Sequence, residues 1–394
     1  MVKKKIIFLI PTLSQGGGER VVSELSLNLP DSIERIIVLF DKQISYPYKG
    51  KLICLNIPIS NILPIRILYF FIALFRFKKI IKRERPDYTI SFIRPANIIN
   101  ILSSRKAVIR VDSFLSSTSG LIYKIFAKLF YNKASKIVCI SKASAKDLVD
   151  NFRVEKKKIK TIYNPLNIKM VQNLALEPLE SEYKKIFTKP VIISIGRLTK
   201  EKNHLCLIKI FARVREVVNE AQLVILGTGE LESKLKGVIE DLGLENNAHL
   251  LGWQNNPFKF LAKSRVFVLA SLREGLPYGI LEAMACGLPI ISTDCKSGPR
   301  EILAPDTDVT KEAKDIEYAA YGILTPPFNG RKYKENGFLE GTGEILKKAM
   351  VKVLVDKELA NNLAKKSRQR IEDFDIKNII KEWEFLNHEN NTAD

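Results

Sequence analysis

Val266-Phe-Val-Leu-Ala-Ser-Leu-Arg-Glu-Gly-Leu-Pro-Tyr-Gly-Ile-Leu-Glu-Ala-Met-Ala-Cys-Gly-Leu-Pro-Ile-Ile-Ser-Thr293 reads as strand, turn, helix and strand. Val266–Ala270 and Pro289–Thr293 are short apolar runs, of the kind that a parallel sheet buries on both faces. Between them, Pro277 suits the first turn of a helix and Gly287 its C-terminal stop. Gly275-Leu276-Pro277 is therefore expected at a helix N-terminus that presents backbone N–H groups, an end that favours anions. Glu274 stands just before that turn and Glu282 inside the helix, so two carboxylates flank the same end.

The same alternation extends outward. Short strand-like runs at Ile6–Ile10, Arg35–Phe40, Tyr88–Phe92, Ala107–Val111 and Lys136–Ile140 are separated by longer amphipathic stretches. The series restarts at Val191–Ile195 and continues through Leu223–Leu226, His249–Leu251, Val266–Ala270 and Pro289–Thr293. Strand–helix alternation implies parallel sheets covered by helices on both faces, and the restart implies a second domain. Residues 1–170 are expected to form an N-terminal Rossmann-like domain and 171–368 a C-terminal one. The polar stretch Asn164–Lys189 reads as a linker. Residues 369–394 are expected to form a helix returning to the first domain, carrying Trp383 and Phe385. Ala304–Gly341, with its prolines, glycines and charges, reads as an irregular surface excursion.

A length of 394 residues suits two domains. The formal charge of +20 is uneven: residues 1–180 hold 31 Lys and Arg against 13 Asp and Glu, and the remainder is near balance. One domain therefore faces something anionic, nucleic acid or a lipid surface, and charge alone does not choose. No basic and aromatic RNA-binding stretch is present, which argues against nucleic acid. Cys54, Cys139, Cys206, Cys286 and Cys295 show no metal-ligand spacing and read as free buried thiols. Met1-Val-Lys-Lys-Lys5 and the apolar run after it imitate a signal peptide. The run passes directly into Pro11 and a glycine turn, so a buried first strand is the better reading. Within Leu63–Arg85 the uncharged core Ile67–Phe75 is too short to span a bilayer. The segment reads as an in-plane membrane helix contacting anionic lipid through Arg76, Lys78, Lys79, Lys82 and Arg83, or as an ordinary helix with a basic end. Leu121–Lys133 repeats its aromatic and basic character.

Glu274-x7-Glu282 within Glu-Gly-Leu-Pro-Tyr-Gly-Ile-Leu-Glu, preceded by Gly196-Arg-Leu-x-x-Glu-Lys-Asn203 and Gly227-Thr-Gly-Glu230, resembles glycosyltransferase family 4. Gly16-Gly-Gly-Glu-Arg20 after the first strand extends the resemblance, which is weakest over 40–100 and 304–345. It implies a GT-B architecture of two Rossmann-like, doubly wound domains facing each other across a cleft, with 1–170 the acceptor-side domain and 171–368 the donor-binding one. The implied activity is retaining transfer of a hexose or N-acetylhexosamine from a nucleotide sugar, a UDP-sugar, to a lipid-linked or surface-polysaccharide acceptor at the cytoplasmic membrane face. No cofactor or metal is implied.

By the same resemblance, Arg197 and Lys202 serve the donor pyrophosphate, Glu282 the ribose, and Glu274 with the following backbone the transferred sugar. Gly16 and Gly17 let the N-domain loop approach the phosphates closely, Gly196 and Gly227 belong to the donor-binding set, and Trp253 and Gln254 lie where the base edge is read. Relatives carry a histidine where this sequence has Asp112, so Asp112 is expected to take over that sugar contact. Ser297–Leu303 resembles a subgroup handling hexoses or N-acetylhexosamines, with Arg300 or Glu301 near the donor. Asp306-Thr-Asp308 matches the metal-binding pattern of the other main glycosyltransferase fold but lacks a strand lead-in. A sugar-nucleotide epimerase on the same fold is the alternative, and it leaves the basic N-terminal helices without a purpose.

Overall fold

The computed structural model describes residues 4–14, 16–58, 62–328 and 341–383. It falls into two compact units. One holds the chain up to Pro165 together with the segment from Asp375, and the other is Leu166–Phe374. Phe385 and His388 lie outside the described residues, as does 329–340 within the stretch read as irregular.

The first unit is built on a seven-stranded sheet of β1 (Lys4–Ile10), β2 (Ile33–Leu39), β3 (Lys51–Cys54), β4 (Tyr88–Ser91), β5 (Ala107–Val111), β6 (Lys136–Cys139) and β7 (Ile159–Thr161). Its order is β3-β2-β1-β4-β5-β6-β7. All neighbours are parallel; Phe8 of β1, for example, sits opposite both Ile37 and Ile90. Ile6–Ile10 are fully buried, as a strand covered by helices on both faces requires. The helix Ile376–Glu382 lies against the helix Gly17–Asn28, and Trp383 is buried.

The second unit repeats the plan with β8 (Val191–Ile195), β9 (Gln222–Leu226), β10 (Ala248–Leu250), β11 (Val266–Leu269), β12 (Ile290–Thr293), β13 (Glu317–Ala319) and β14 (Gly322–Thr325). The order is β10-β9-β8-β11-β12-β14-β13, and only the β13–β14 pair is antiparallel. In each sheet the strand order reverses beside the first strand, between β1 and β4 and between β8 and β11. Loops leaving those strands diverge there and open a crevice outside their carboxyl ends.

The structure corrects two expectations. Asn164–Lys189 is not a free linker: it forms the helices Ile168–Ala175 and Ser181–Lys184. It is tied down by Asn256, whose Nδ2 donates to Leu174 O (2.8 Å) and Glu177 Oε2 (2.7 Å), and by the Lys259–Glu180 ion pair (2.5 Å). The stretch from Ala304 is not wholly irregular either. Gly322–Thr325 is a fully buried strand against β12, Ile323 opposite Ile291. Its apolar run is four residues long and its partner lies some thirty residues away, so local pattern did not show it.

Candidate active site

At the β8–β11 reversal, two loops clasp each other. The chain leaving β8 runs through Gly196-Arg197-Leu198-Thr199 into a 3-10 turn, Lys200–Lys202. Asn203 follows in the left-handed region (φ 58°), then the helix His204–Arg215. The chain leaving β11 runs from Ala270 to Pro277. Leu272 N donates to Glu201 O (2.8 Å) and Asn203 Nδ2 to Ala270 O (3.1 Å). Lys202 Nζ donates to Glu274 Oε1 at 2.6 Å, and Ser271 Oγ donates to the same oxygen at 2.6 Å. The carboxylate side chain is 9% exposed and the lysine 22%. This ion pair joins two of the residues singled out above, and the motifs gave no sign that they touch. Arg197 stands exposed on the same loop.

The glycines are explained by what passes beside them. Gly227 has φ +137°, and a Cβ there would lie 2.1 Å from Gly196 O; a Cβ on Gly229 would lie 2.6 Å from Leu198 O. A Cβ on Gly196 would meet the Lys202 methylenes at 3.2–3.3 Å. Gly196 and Gly227 therefore let the β8 and β9 loops interlock and leave a path for the lysine stem. Gly275 O accepts from Ser297 Oγ at 2.8 Å. Gly298 (φ +87°) passes so close that a Cβ would sit 2.7 Å from that carbonyl oxygen.

The helix after this loop begins at Tyr278, with Pro277 as its cap and Gly275 and Leu276 before it, slightly later than expected. It ends in a Schellman motif: Gly287 N donates to Met284 O, Leu288 N to Ala283 O, and Gly287 adopts φ +74°. Glu282 is buried within it. Trp253 is half exposed, its Nε1 donating to Asn255 Oδ1 (3.1 Å), while Gln254 Nε2 turns back to Leu251 O (2.7 Å).

Arg300 has a different place from the one expected. It is buried, and its guanidinium is held by Asp294, Glu317 (2.8 and 3.0 Å) and Thr307 (3.1 Å). It anchors the 304–317 excursion on the sheet and is not open to a ligand. Burial pushes the Asp294 carboxyl up despite Arg300, whereas the Arg300 hydrogen bonds hold partly exposed Glu317 down. The Asp306-Thr-Asp308 pattern belongs to the same turn, with Asp308 Oδ1 accepting from Thr310 N and Oγ1 (both 2.8 Å).

His204, close to Lys202 in the chain, is buried, and burial followed by the Lys202 charge depresses its pKa to about 3. It stays neutral in the folded protein while an unfolded chain protonates near 6.5. Stability is therefore lost as pH falls below 6.5, by about 2 kcal/mol at pH 5. Melting curves at pH 8 and pH 5 should show a smaller acid-side loss in His204→Leu than in the parent chain. Equal losses would remove this account.

In the first unit, Gly16 is extended (φ −171°) and Gly17 opens the helix Gly17–Asn28, beside the β1–β4 reversal. Asp112 follows β5. Its Oδ1 accepts from buried Arg110, whose other arm donates to Asn164 Oδ1. A cavity of about 260 Å³ adjoins this pair. In the helix Leu63–Glu84, Ile67, Leu68, Phe71 and Phe75 are exposed along one face. Arg76 donates to the Leu55 and Asn56 carbonyls, and Arg83 pairs with Glu84 (2.8 Å). Of the five expected lipid contacts, Lys78, Lys79 and Lys82 are the exposed ammonium groups outside such contacts. Among the described residues no helix is long and apolar enough to cross a membrane.

The family model described as Glycosyltransferase Family 4 matches residues 15–169, and that described as Glycosyl transferases group 1 matches 179–324. A glycosyltransferase of Methanocaldococcus jannaschii is 39% identical over 333 residues, covering 79% of this chain and 82% of that one. The chain belongs to glycosyltransferase family 4. This glycosyltransferase is also 33% identical to a Campylobacter jejuni protein over 318 residues, covering 77% of this chain and 84% of the other. That relative is named N-acetylgalactosamine-N,N'-diacetylbacillosaminyl-diphospho-undecaprenol 4-alpha-N-acetylgalactosaminyltransferase. Among solved structures, Anabaena HepE in complex with UDP and glucose matches with a TM-score of 0.75 at 18% identity. The match covers 98% of this glycosyltransferase and 99% of HepE, and it shows the shared GT-B fold.

Proposed function

We propose that this glycosyltransferase moves a hexose or N-acetylhexosamine from a UDP-sugar to a lipid-linked or surface-polysaccharide acceptor at the cytoplasmic membrane face, with retention and without a metal. The Lys202–Glu274 pair, fixed at the sheet reversal beside Arg197 and the Tyr278 helix start, carries this reading. As the bond between anomeric carbon and phosphate oxygen breaks, negative charge grows on the departing diphosphate. Lys202, Arg197 and the N–H groups at that helix start stabilise it as preorganised donors. The acceptor oxygen attacks from the face the phosphate leaves, and its proton passes to a phosphate oxygen, so configuration is kept.

Among the described residues, both hydrogen bonds to Glu274 fall on Oε1, and Oε2 is assigned to a hydroxyl of the transferred sugar. Glu282 takes the ribose, and Trp253 and Gln254 border the base. The Campylobacter relative, named for transfer to a diphospho-undecaprenol acceptor, supports the acceptor class. UDP in the HepE structure supports the nucleotide.

A panel of UDP- and GDP-sugars, with and without lipid extract, tests the reading by mass spectrometry of the lipid product. A mass increase of one sugar on a lipid-linked glycan is expected. Isomerised donor with no acceptor consumed would overturn it. Exchanging Arg76, Lys78, Lys79, Lys82 and Arg83 for Gln should release the protein from phosphatidylglycerol vesicles. At about 1 kcal/mol per well-placed cation, Lys78, Lys79 and Lys82 alone should account for about a 100-fold loss in sedimentation binding. Binding that persists in the five-fold variant removes the membrane helix from the reading.

A further inference from the structure

Among the described residues of the second unit, two non-glycine residues hold a left-handed backbone, Asn203 (φ 58°) and Ser297 (φ 69°). Each donates its side chain to a carbonyl of the same loop, the one leaving β11. Asn203 Nδ2 reaches Ala270 O (3.1 Å) at its start, and Ser297 Oγ reaches Gly275 O (2.8 Å) near its end. Asparagine tolerates that region of backbone space, whereas serine carries a steric cost there. Such strain persists where surrounding structure over-determines it, commonly at functional sites.

The chain is anchored on both sides of Ser297. Asp294 N donates to Thr325 O (2.8 Å), and the Asp294 carboxylate holds Arg300 and accepts from Ala313 N (2.7 Å). On the other side Pro299 opens the helix Pro299–Leu303, with Ile302 N donating to Gly298 O (3.0 Å). Gly298 presses on the β11 loop as well: a Cβ there would lie 2.7 Å from both Gly275 O and Pro277 Cδ. Relaxing Ser297 would lift its hydroxyl from Gly275 or pull out these anchors.

Peptide geometry says what the bond controls. The Gly275–Leu276 peptide is planar and trans, so its N–H points opposite to its C=O. With Gly275 O drawn to Ser297, the Leu276 N–H is turned to the other side of the loop. A peptide that follows a glycine flips readily, because glycine accepts torsions closed to other residues. Flipped, it would offer the departing diphosphate a carbonyl oxygen in place of an N–H, and two negative groups would face each other as the bond breaks.

We propose that Ser297 is a positioning residue for sugar transfer: its left-handed backbone aims Oγ at Gly275 O and so keeps the Leu276 N–H directed at the donor diphosphate. This rests on the reading of the β8–β11 crevice as the donor site. The Arg300 clamp gains a purpose by the same account. It fixes Asp294, three residues before Ser297, and acts on the reaction without touching a ligand.

Steady-state transfer and acceptor-free donor hydrolysis by the full chain, in Ser297→Gly and Ser297→Ala, test the assignment. Glycine relieves the left-handed backbone and alanine keeps it, so Ser297→Gly should melt above Ser297→Ala. Both lack the hydroxyl. Both should therefore lose at least 10-fold in kcat for transfer and for hydrolysis, with donor KM within threefold of the parent, since the N–H acts chiefly on charge that grows in the transition state. If Ser297→Ala does not fold, Ser297→Gly decides. A Ser297→Gly chain with parental kcat, or one faster than Ser297→Ala in step with its stability, overturns the role of Ser297 while the parent's own transfer upholds the reading beneath it. A parent that hydrolyses the donor but glycosylates no lipid, with hydrolysis still lost in both variants, keeps the role of Ser297 and removes the acceptor class. A parent that neither hydrolyses nor transfers from any sugar nucleotide overturns both.

Discussion

Glu274→Ala is expected to lower kcat/KM for sugar transfer at least 100-fold, about 3 kcal/mol of transition-state stabilisation. Two losses combine in that figure. The sugar loses the contact assigned to Oε2, and Lys202 loses the partner that holds its ammonium in place at 2.6 Å. A partly buried cation stripped of its counter-charge is destabilised, so the melting temperature should fall as well as the rate. Glu274→Gln separates the two contributions, since it keeps an oxygen for Ser271 and Lys202 but removes the charge. Lys202→Ala should match Glu274→Ala in rate. Because the two act as a unit, the double variant should lose clearly less than the sum of the singles in ΔΔG‡. Steady-state rates of all four with one donor and lipid acceptor make the comparison. A Glu274→Ala protein that retains a tenth of parental activity would break the proposed role of the pair.

Gly227→Ala should destabilise the Leu166–Phe374 unit by about 3 kcal/mol or more, through φ strain and overpacking together. Its φ of +137° is closed to a side chain on steric grounds, and the added Cβ would be driven to 2.1 Å from the Gly196 carbonyl oxygen. Gly227 N is also fixed to Gly252 O at 2.7 Å, so the loop cannot simply withdraw. Gly243 is the control: it has φ +62° with open space where an alanine methyl would stand, so Gly243→Ala should cost only about 1–2 kcal/mol. Thermal unfolding of the full chain distinguishes them. Equal shifts would show that the interlocking of the 196–198 and 227–229 loops is not what requires this glycine.

Most of the central strands were legible because a strand buried on both faces leaves a run of consecutive apolar residues, as in Ile6–Ile10 and Val191–Ile195. The strands that were missed had no such mark. Lys51–Cys54 is partly exposed, Ile159–Thr161 is three residues long, and Gly322–Thr325 is hidden among prolines and charges. Gly196 and Gly227 were legible as members of the donor motif, but not that the chain's own backbone and the Lys202 stem pass beside them. Arg300 shows the opposite failure. A motif suggested a ligand contact, whereas the surrounding Asp294 and Glu317 hold it as a clamp on the chain itself.

Periodicity and turn chemistry along the chain determined two parallel α/β sheets and the helix after Glu274, and the motifs around Gly196, Gly227 and Glu274 carried the family resemblance, because those signals are held by residues close together in sequence. Only the tertiary structure decided that Lys202 and Glu274, seventy-two positions apart, share a hydrogen bond, and that Arg76 and Arg83 are bound to the protein's own oxygens. The Arg76 contact depends on the helix Leu63–Glu84 lying back against residues 55–56, Arg83 pairs with its own neighbour Glu84, and the Lys202–Glu274 contact depends on which loops meet at a sheet reversal. Strand order sets that meeting, and strand order is a matter of long-range pairing that no local pattern records.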